Sequence, residues 1–362
     1  MALKSVLVSD VPNLDASFYS PSFTGGMEIR LKEPKFLVIG HRGRGMNVLH
    51  SSDLKFKTVK ENTILSFNSA GAFGVDFVEF DVQVTSDGCP IIFHDNFIYS
   101  RDDNGTIHEK RVTELSLPEF LGYGPGREQH PDGKKLLRKT KDGKIVDWCV
   151  ETDDCACTLE EAFDKVKPSV GFNIELKLDD HIIYPQHILI DVMGAILKVV
   201  SDHSNGRPII FSTFHPDAAL LIKKLQASYP VFFLTNGGNE TYQDERRNSL
   251  EAAVKLCVEG GLQGIVSEVS AVIKNPGQIK EIKELGLSLL TYGKLNDVGE
   301  VVYVQYLLGV DGVIVDLVEE ITGVVKRMVK GEEEDEEEGV GKRPKFSDSE
   351  LAFLLNLVSK LI

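Results

Sequence analysis

The sequence predicts an α/β fold, a distorted (β/α)8 TIM barrel with an insertion after the third strand and a C-terminal helical extension. Three observations predict it. Short apolar runs bounded by turn residues alternate with amphipathic helical patterns between residues 35 and 330, the pattern of a parallel sheet wound with helices. The length, 362 residues, suits one such barrel with insertions, and a hydrophobic share of 42% can fill its core. Reactive side chains stand where the apolar runs stop, and barrels of this class gather their chemistry at the carboxyl ends of their strands.

Residues 1–34 hold Pro12, Pro21, Gly25 and Gly26 with little periodicity and read as an irregular arm. The barrel domain spans 35–330. Its first strand, Phe36–Ile39, stops at Gly40-His41-Arg42-Gly43, where glycine permits a sharp exit. A helix follows from about Ile64, with Asn62 or Thr63 to cap it and Gly74 to end it. In the strand Val78–Val82, Glu79 and Asp81 share one face, and Val78, Phe80 and Val82 take the other. After the turn Thr85–Gly88, Pro90 opens a run that ends in His94-Asp95. Periodicity dissolves from about 97 to 157, a Gly-, Lys- and Arg-rich insertion that is either a long loop or a small subdomain.

Thr158 and Glu161 then form a capping box for a helix to Val166. The strand Val170–Leu178 places Asn173, Glu175 and Lys177 on one face. Strands near 208–214, 231–234, 264–266, 287–291 and 312–315 alternate with helices near 185–201, 216–226, 250–259, 276–285 and 298–308. This makes nine candidate strands for eight places. The misfit lies near 78–94, where the turn is too short for a crossover helix.

Residues 331–345 read as a linker, an acidic run followed by Lys342-Arg343-Pro344-Lys345. Residues 346–362 read as an amphipathic helix with Leu351, Leu354, Leu355, Val358, Leu361 and Ile362 on one face. That face calls for docking on the barrel, self-association or peripheral membrane contact through 347–362.

The formal net charge is −15, and Glu332–Glu338 supplies seven of the negative charges, so the body is mildly acidic and nucleic acid is not the expected partner. Five cysteines in a chain this long make no disulfide framework and point to a reducing compartment. Cys149, Cys155 and Cys157 raise a zinc site, but they are not a paired C-x-x-C set. No apolar run reaches transmembrane length, because Asp191 and Lys198 interrupt Ile182–Val200. The N-terminus has no signal-peptide core, and Asp10 and Asp15 suit a transit peptide poorly. A cytoplasmic location is expected, with a plastid or endomembrane surface left open.

Four strand ends carry matched chemistry: His41-Arg42, Glu79-x-Asp81, His94-Asp95 and Glu175-x-Lys177. Ser212 in F-S-T-F is a weaker fifth. Each has a bland reading, as a solvated strand face, a surface ion pair or a hydrogen-bonded core histidine. Together they are hard to dismiss. Three carboxylates, Glu79, Asp81 and Glu175, suit one hard divalent cation, Mg²⁺ or Ca²⁺, with Mg²⁺ preferred. Arg42 and Lys177 supply positive charge for an anion beside it. His41 and His94 can move protons near neutral pH. Such a set can do phosphoryl transfer, and the absence of a P-loop turns attention away from nucleoside triphosphates.

These residues carry a resemblance. H-R-G at 41–43, E-N-T at 61–63, E-F-D at 79–81, T-S-D-G-C-P-I-I-F-H-D at 85–95, E-L-K at 175–177, F-S-T-F at 211–214 and G-V-D-G-V-I-V-D at 309–316 resemble the glycerophosphodiester phosphodiesterase family in its soluble, plant-like branch. The resemblance spans about 36 to 330. It implies hydrolysis of small glycerophosphodiesters, such as glycerophosphocholine, to sn-glycerol 3-phosphate and an alcohol. It implies Glu79, Asp81 and Glu175 as metal ligands, His41 and His94 as the acid/base pair, and Arg42 and Lys177 as phosphate contacts. The substrate's own glycerol hydroxyl would attack phosphorus and form a cyclic phosphate, so Ser212 is not needed as a nucleophile. Tyr292 in L-T-Y-G departs from the family's frequent Trp. Two other readings are a lyase that stops at the cyclic phosphate and a scaffold or lipid sensor with a spent site.

Overall fold

The protein is described by a computed structural model over residues 35–126 and 133–336. The expected arm 1–34, the linker from 337 onward and the helix 346–362 lie outside the described residues. The strands are, in chain order, β1 (Leu37–Gly40), β2 (Phe77–Val84), β3 (Pro90–Ile92), β4 (Phe97–Arg101), β5 (Ile107–Arg111), β6 (Leu136–Lys139), β7 (Ile145–Asp147) and β8 (Cys157–Thr158). There follow β9 (Gly171–Leu176), β10 (Ile209–Thr213), β11 (Val231–Thr235), β12 (Gly264–Glu268), β13 (Ser288–Tyr292) and β14 (Gly312–Val315).

Strands β1, β2 and β9 to β14 are the eight parallel strands of a closed barrel. β1 pairs with β14 on one side and closes on β2 through Ile39↔Phe77 and Gly40↔Val78. The surplus ninth strand is β3. It runs antiparallel to β2, with Val84 opposite Pro90 and Val82 opposite Ile92. A hairpin needs no crossover, so the short turn at Thr85 is sufficient. β8 pairs antiparallel with the far side of β3 and leads the chain back into the barrel.

The helices are α1 (Ile64–Phe73), α2 (Leu117–Leu121), α3 (Leu159–Lys165), α4 (Gln186–His203), α5 (Pro216–Leu225), α6 (Leu250–Gly260), α7 (Val269–Lys274), α8 (Gly277–Glu284), α9 (Gly299–Leu308) and α10 (Val318–Glu336). Thr63 caps α1 by accepting from the Ser66 amide, and Gly74 ends it at φ 87°. Thr158 and Glu161 form the expected capping box on α3. The helix expected at 276–285 is α8. Before it stands α7, whose six residues are too few to show a period and end at Asn275-Pro276. α10 continues to Glu336, so the start of the acidic run is helical where the sequence suggested a linker from 331. Glutamate is a good helix former, which extends the helix past Gly331.

Alternation along the strands sorts the core into two layers. Val78, Phe80 and Val82 face outward and pack under the helices with Phe67, Phe172 and Ile174. The Phe80 ring lies 5.1 Å from Phe67 and 5.0 Å from Phe172. Full burial of one such side chain is worth about 1.5–3 kcal/mol. Inside the barrel Ile39, Ile210, Phe232, Leu234, Val266, Leu290 and Ile314 form a second apolar cluster. The insertion is a small subdomain: β4 to β7 form an antiparallel sheet in the order β5-β4-β6-β7. Its apolar side, with Ile98, Val112, Phe120 and Trp148, packs on Ile91 and Phe93 of the β3 segment.

Candidate active site

The inward face of β2 and the end of β9 bring the three acidic residues together. Asp81 and Glu175 are register partners across the β2–β9 pair. Carboxylate oxygens of Glu79, Asp81 and Glu175 lie within 4.8 Å of one another, and all three residues are buried. Burial pushes the Glu79 carboxyl well above its ordinary range, and the neighbouring charges of Asp81 and Glu175 add to it. Glu175 is raised for the same first reason, burial. Such a cluster of hard oxygens fits a divalent cation, which would remove the repulsion. Asn62 supports the fit. Its Nδ2 donates to Asp81 Oδ2 at 3.0 Å, while its buried Oδ1 has no hydrogen-bond partner among the described residues.

His41 leaves the end of β1, where its amide donates to Val315 O. Its Nδ1 donates to Asp316 Oδ1 at 2.7 Å, and its Nε2 lies 3.9 Å from Glu79 Oε2. Asp316 follows β14 and is fixed on both sides: its Oδ1 also accepts from the Met46 amide, and its own amide donates to the Asp297 carboxylate. Gly45, at φ 113°, makes that approach possible; a Cβ there would stand 2.2 Å from Asp316 O. Burial disfavours the imidazolium of His41, but Asp316 outweighs it and pushes the pKa up to about 9.

His94 reaches the same centre from another direction. Phe93 donates its amide to Asp81 O, so antiparallel β3 descends from the rim and delivers His94 beside Asp81. Four parallel strand ends are therefore not the source of the four motifs; three are, and the fourth comes from a hairpin. His94 Nδ1 donates to Asp95 Oδ1 at 2.7 Å, and Lys177 Nζ donates to Nε2 at 3.1 Å. An ammonium only donates, so Nε2 is an acceptor and the ring is neutral. Burial, then the charges of Arg42 and Lys177, hold His94 well below its ordinary pKa.

Lys177 also lies 3.3 Å from Glu175 and 3.7 Å from Asp81. The Arg42 amide donates to Glu79, and its guanidinium donates through Nη1 to Glu61 at 2.7 Å. The buried Arg42 Nε makes no hydrogen bond among the described residues and lies 3.6 Å from Asp81 Oδ2. All seven residues expected from the sequence thus stand in one cluster. Ser212 does not join as a nucleophile: it is fully buried and donates to Asn173. Tyr292 ends β13, donates to Asn236 and stands edge-on to Phe214 at 6.0 Å. None of the acidic or histidine clusters among the described residues includes Cys149, Cys155 or Cys157, so no zinc set forms there.

Four further residues of the site were not among those seven. Asp316 ends a strand as His41 does, a signal that was available. Glu61 and Asn62 lie in the E-N-T motif. Arg138, in β6, donates to Asp95 and Glu61 and had no local signal at all.

Comparison with known proteins decides the family. Residues 41–320 match the model of the glycerophosphoryl diester phosphodiesterase family. The chain belongs to that family. It is an enzyme, a glycerophosphodiester phosphodiesterase. It is 59% identical to the chloroplastic glycerophosphodiester phosphodiesterase GDPD1 of Arabidopsis thaliana, covering all of this chain and 99% of that one, which places it in the plant-like branch. The glycerophosphocholine phosphodiesterase GDE1 of Candida albicans is 32% identical, over 78% of this chain and 28% of its own. Among solved structures, a phosphodiesterase of Oleispira antarctica in complex with the product sn-glycerol-3-phosphate has the same fold, with a TM-score of 0.56 at 20% identity, covering 80% of this chain and 96% of that one.

Proposed function

We propose that this site hydrolyses small glycerophosphodiesters of the glycerophosphocholine type to sn-glycerol 3-phosphate and the free alcohol. The observation that carries the reading is a pair of histidines, each held by an aspartate, on a buried three-carboxylate cluster. Glu79, Asp81 and Glu175 would hold one divalent cation, Mg²⁺ or Ca²⁺, which when bound supplies Lewis-acid charge for the phosphate oxygens. Arg42 and Lys177, both set among the site carboxylates, supply the positive charge that binds and orients the phosphate.

His94, neutral with Nε2 as its acceptor, takes the proton from the substrate's glycerol hydroxyl. That oxygen bonds to phosphorus, the phosphorus–oxygen bond to the head group breaks, and His41 gives its Nε2 proton to the departing alcohol oxygen. In the second half the roles reverse: His41 takes a proton from water, the water oxygen opens the cyclic phosphate, and His94 returns the proton to the glycerol oxygen. Environments that push two histidines apart in pKa favour this division. The likeness to the Candida glycerophosphocholine phosphodiesterase supports glycerophosphocholine as substrate. The full-length likeness to a chloroplastic protein supports a plastid location, and among the described residues no helix is long and apolar enough to cross a membrane.

The test is the purified protein against a panel of glycerophosphodiesters, followed by phosphorus NMR with each metal in turn. EDTA abolishes turnover, and Mg²⁺ or Ca²⁺ restores it. Full activity in metal-free buffer would refute the carboxylate site, and accumulation of a cyclic phosphate alone would make the enzyme a lyase.

A further inference from the structure

The insertion contributes one side chain to the site. Arg138 sits on β6, yet its guanidinium faces the barrel. Its Nε and Nη2 donate in parallel to the two oxygens of Asp95, each at 3.0 Å. Its Nη1 donates to Glu61 Oε2 at 2.9 Å and to Asn47 O at 3.4 Å. The guanidinium carbon lies over the Trp148 ring, 4.2 Å from its centroid, and Trp148 is tied to Asn47 by its Nε1. Nε, Nη1 and Nη2 are all engaged, and the side chain is 11% exposed. Arg138 therefore does not offer itself to substrate. It acts on what it holds.

What it holds is the carboxylate that sets His94. Asp95 accepts the Nδ1 proton of His94, which fixes the tautomer with Nε2 as acceptor. A carboxylate gripped by a fork has no freedom to rotate, whereas one held by a single bond does. Through Glu61, the same guanidinium also braces Arg42. We propose that Arg138 is a positioning residue for His94, acting through Asp95, which makes the inserted sheet a structural part of the active site. This rests on the acid/base role given to His94.

The experiment compares kcat and KM for R138Q, R138K, D95N and the double variant R138Q/D95N. A fork that acts through Asp95 predicts a fall in kcat of about 10- to 100-fold for R138Q with KM nearly unchanged, the scale of a misplaced catalytic group. R138K, which keeps the charge and loses the fork, falls with it. The double variant is no worse than the poorer single one. Should R138Q fold poorly, R138A supplied with guanidinium ion at sub-denaturing concentration recovers kcat, a rescue that a general stability role does not produce. Unchanged kcat in R138Q, or losses that multiply in the double variant, overturns the proposal. The failure of the function reading is separable: in nitrogen-15 NMR the His94 ring of the wild type is the Nδ1–H tautomer, and R138A mixes the tautomers whatever the substrate proves to be. An identical His94 spectrum in R138A overturns the proposal independently of turnover.

Discussion

The site builds the same device twice. His41 donates to Asp316 and His94 donates to Asp95, both at 2.7 Å. The two differ in what stands behind the aspartate. Asp316 accepts from the Met46 backbone amide, and its own amide donates to the Asp297 carboxylate, so the closing barrel loops support it. Asp95 is held by the side chain of Arg138, from a sheet inserted into the barrel. The barrel half is fixed by the closure of the fold. The other half needs a separate subdomain to complete it, because β3 leaves the barrel wall and has only a three-residue pairing with β2.

Removing either imidazole breaks both halves alike. On the proposed roles, His41→Ala and His94→Ala should each lower kcat by on the order of 10²- to 10⁴-fold in steady-state assays, because each removes a proton carrier rather than its orientation. Equal retention of activity in either would remove that histidine from the reaction. The aspartates separate the halves. Asp95→Asn should cost about 100-fold in kcat, since the ring loses its fixed tautomer and can swing. Asp316→Asn should cost as much in kcat and also lower the thermal midpoint more, because Asp316 also accepts from the Met46 amide and ties the β1 exit loop to the end of β14. A differential scanning measurement that ranks them in the reverse order would contradict the distinction.

The smallest effect concerns acid. Burial opposes ionisation of Glu61, but Arg138 and then Arg42 outweigh it and hold its pKa near 2 against an ordinary 4.5. A depressed folded pKa gives stability that is present above the unfolded value and is lost as pH falls through the folded one. Between about pH 4.5 and 2 the wild type therefore loses on the order of 3 kcal/mol from this group. Denaturant titrations across that range should be flatter for Glu61→Gln, which has no proton to gain. An equal slope in both proteins would show that Glu61 is not the group that links insertion to barrel.

Much of the barrel half was legible in the sequence, and the reason is local. Glu79 and Asp81 alternate with apolar neighbours on one strand, and strand period alone puts them on one face. Their partnership with Glu175 needed only the rule that parallel strands present their ends together. The hairpin half was harder. β3 has the apolar pattern of a barrel strand, and pattern does not encode direction, so nine candidates competed for eight places. Arg138 lay in a Lys- and Arg-rich stretch where nothing local separates a buried guanidinium from solvated ones. Its role depends on a fold-back that only tertiary structure supplies. α7 is too short to show a period, and the acidic run starts as helix because the helix preference of glutamate is not visible in charge alone.

One hydrogen bond has a consequence for how the molecule comes into being. His41 and Asp316 are 275 residues apart, and they meet across the same seam where the first barrel strand joins the last. A chain emerging from the ribosome makes His41 early and must hold it without its partner until nearly the whole barrel has been synthesised. The seam has a large loop to close, and such pairings form slowly. Until that seam closes, the sheet keeps an exposed edge and His41 lacks the aspartate that orients it.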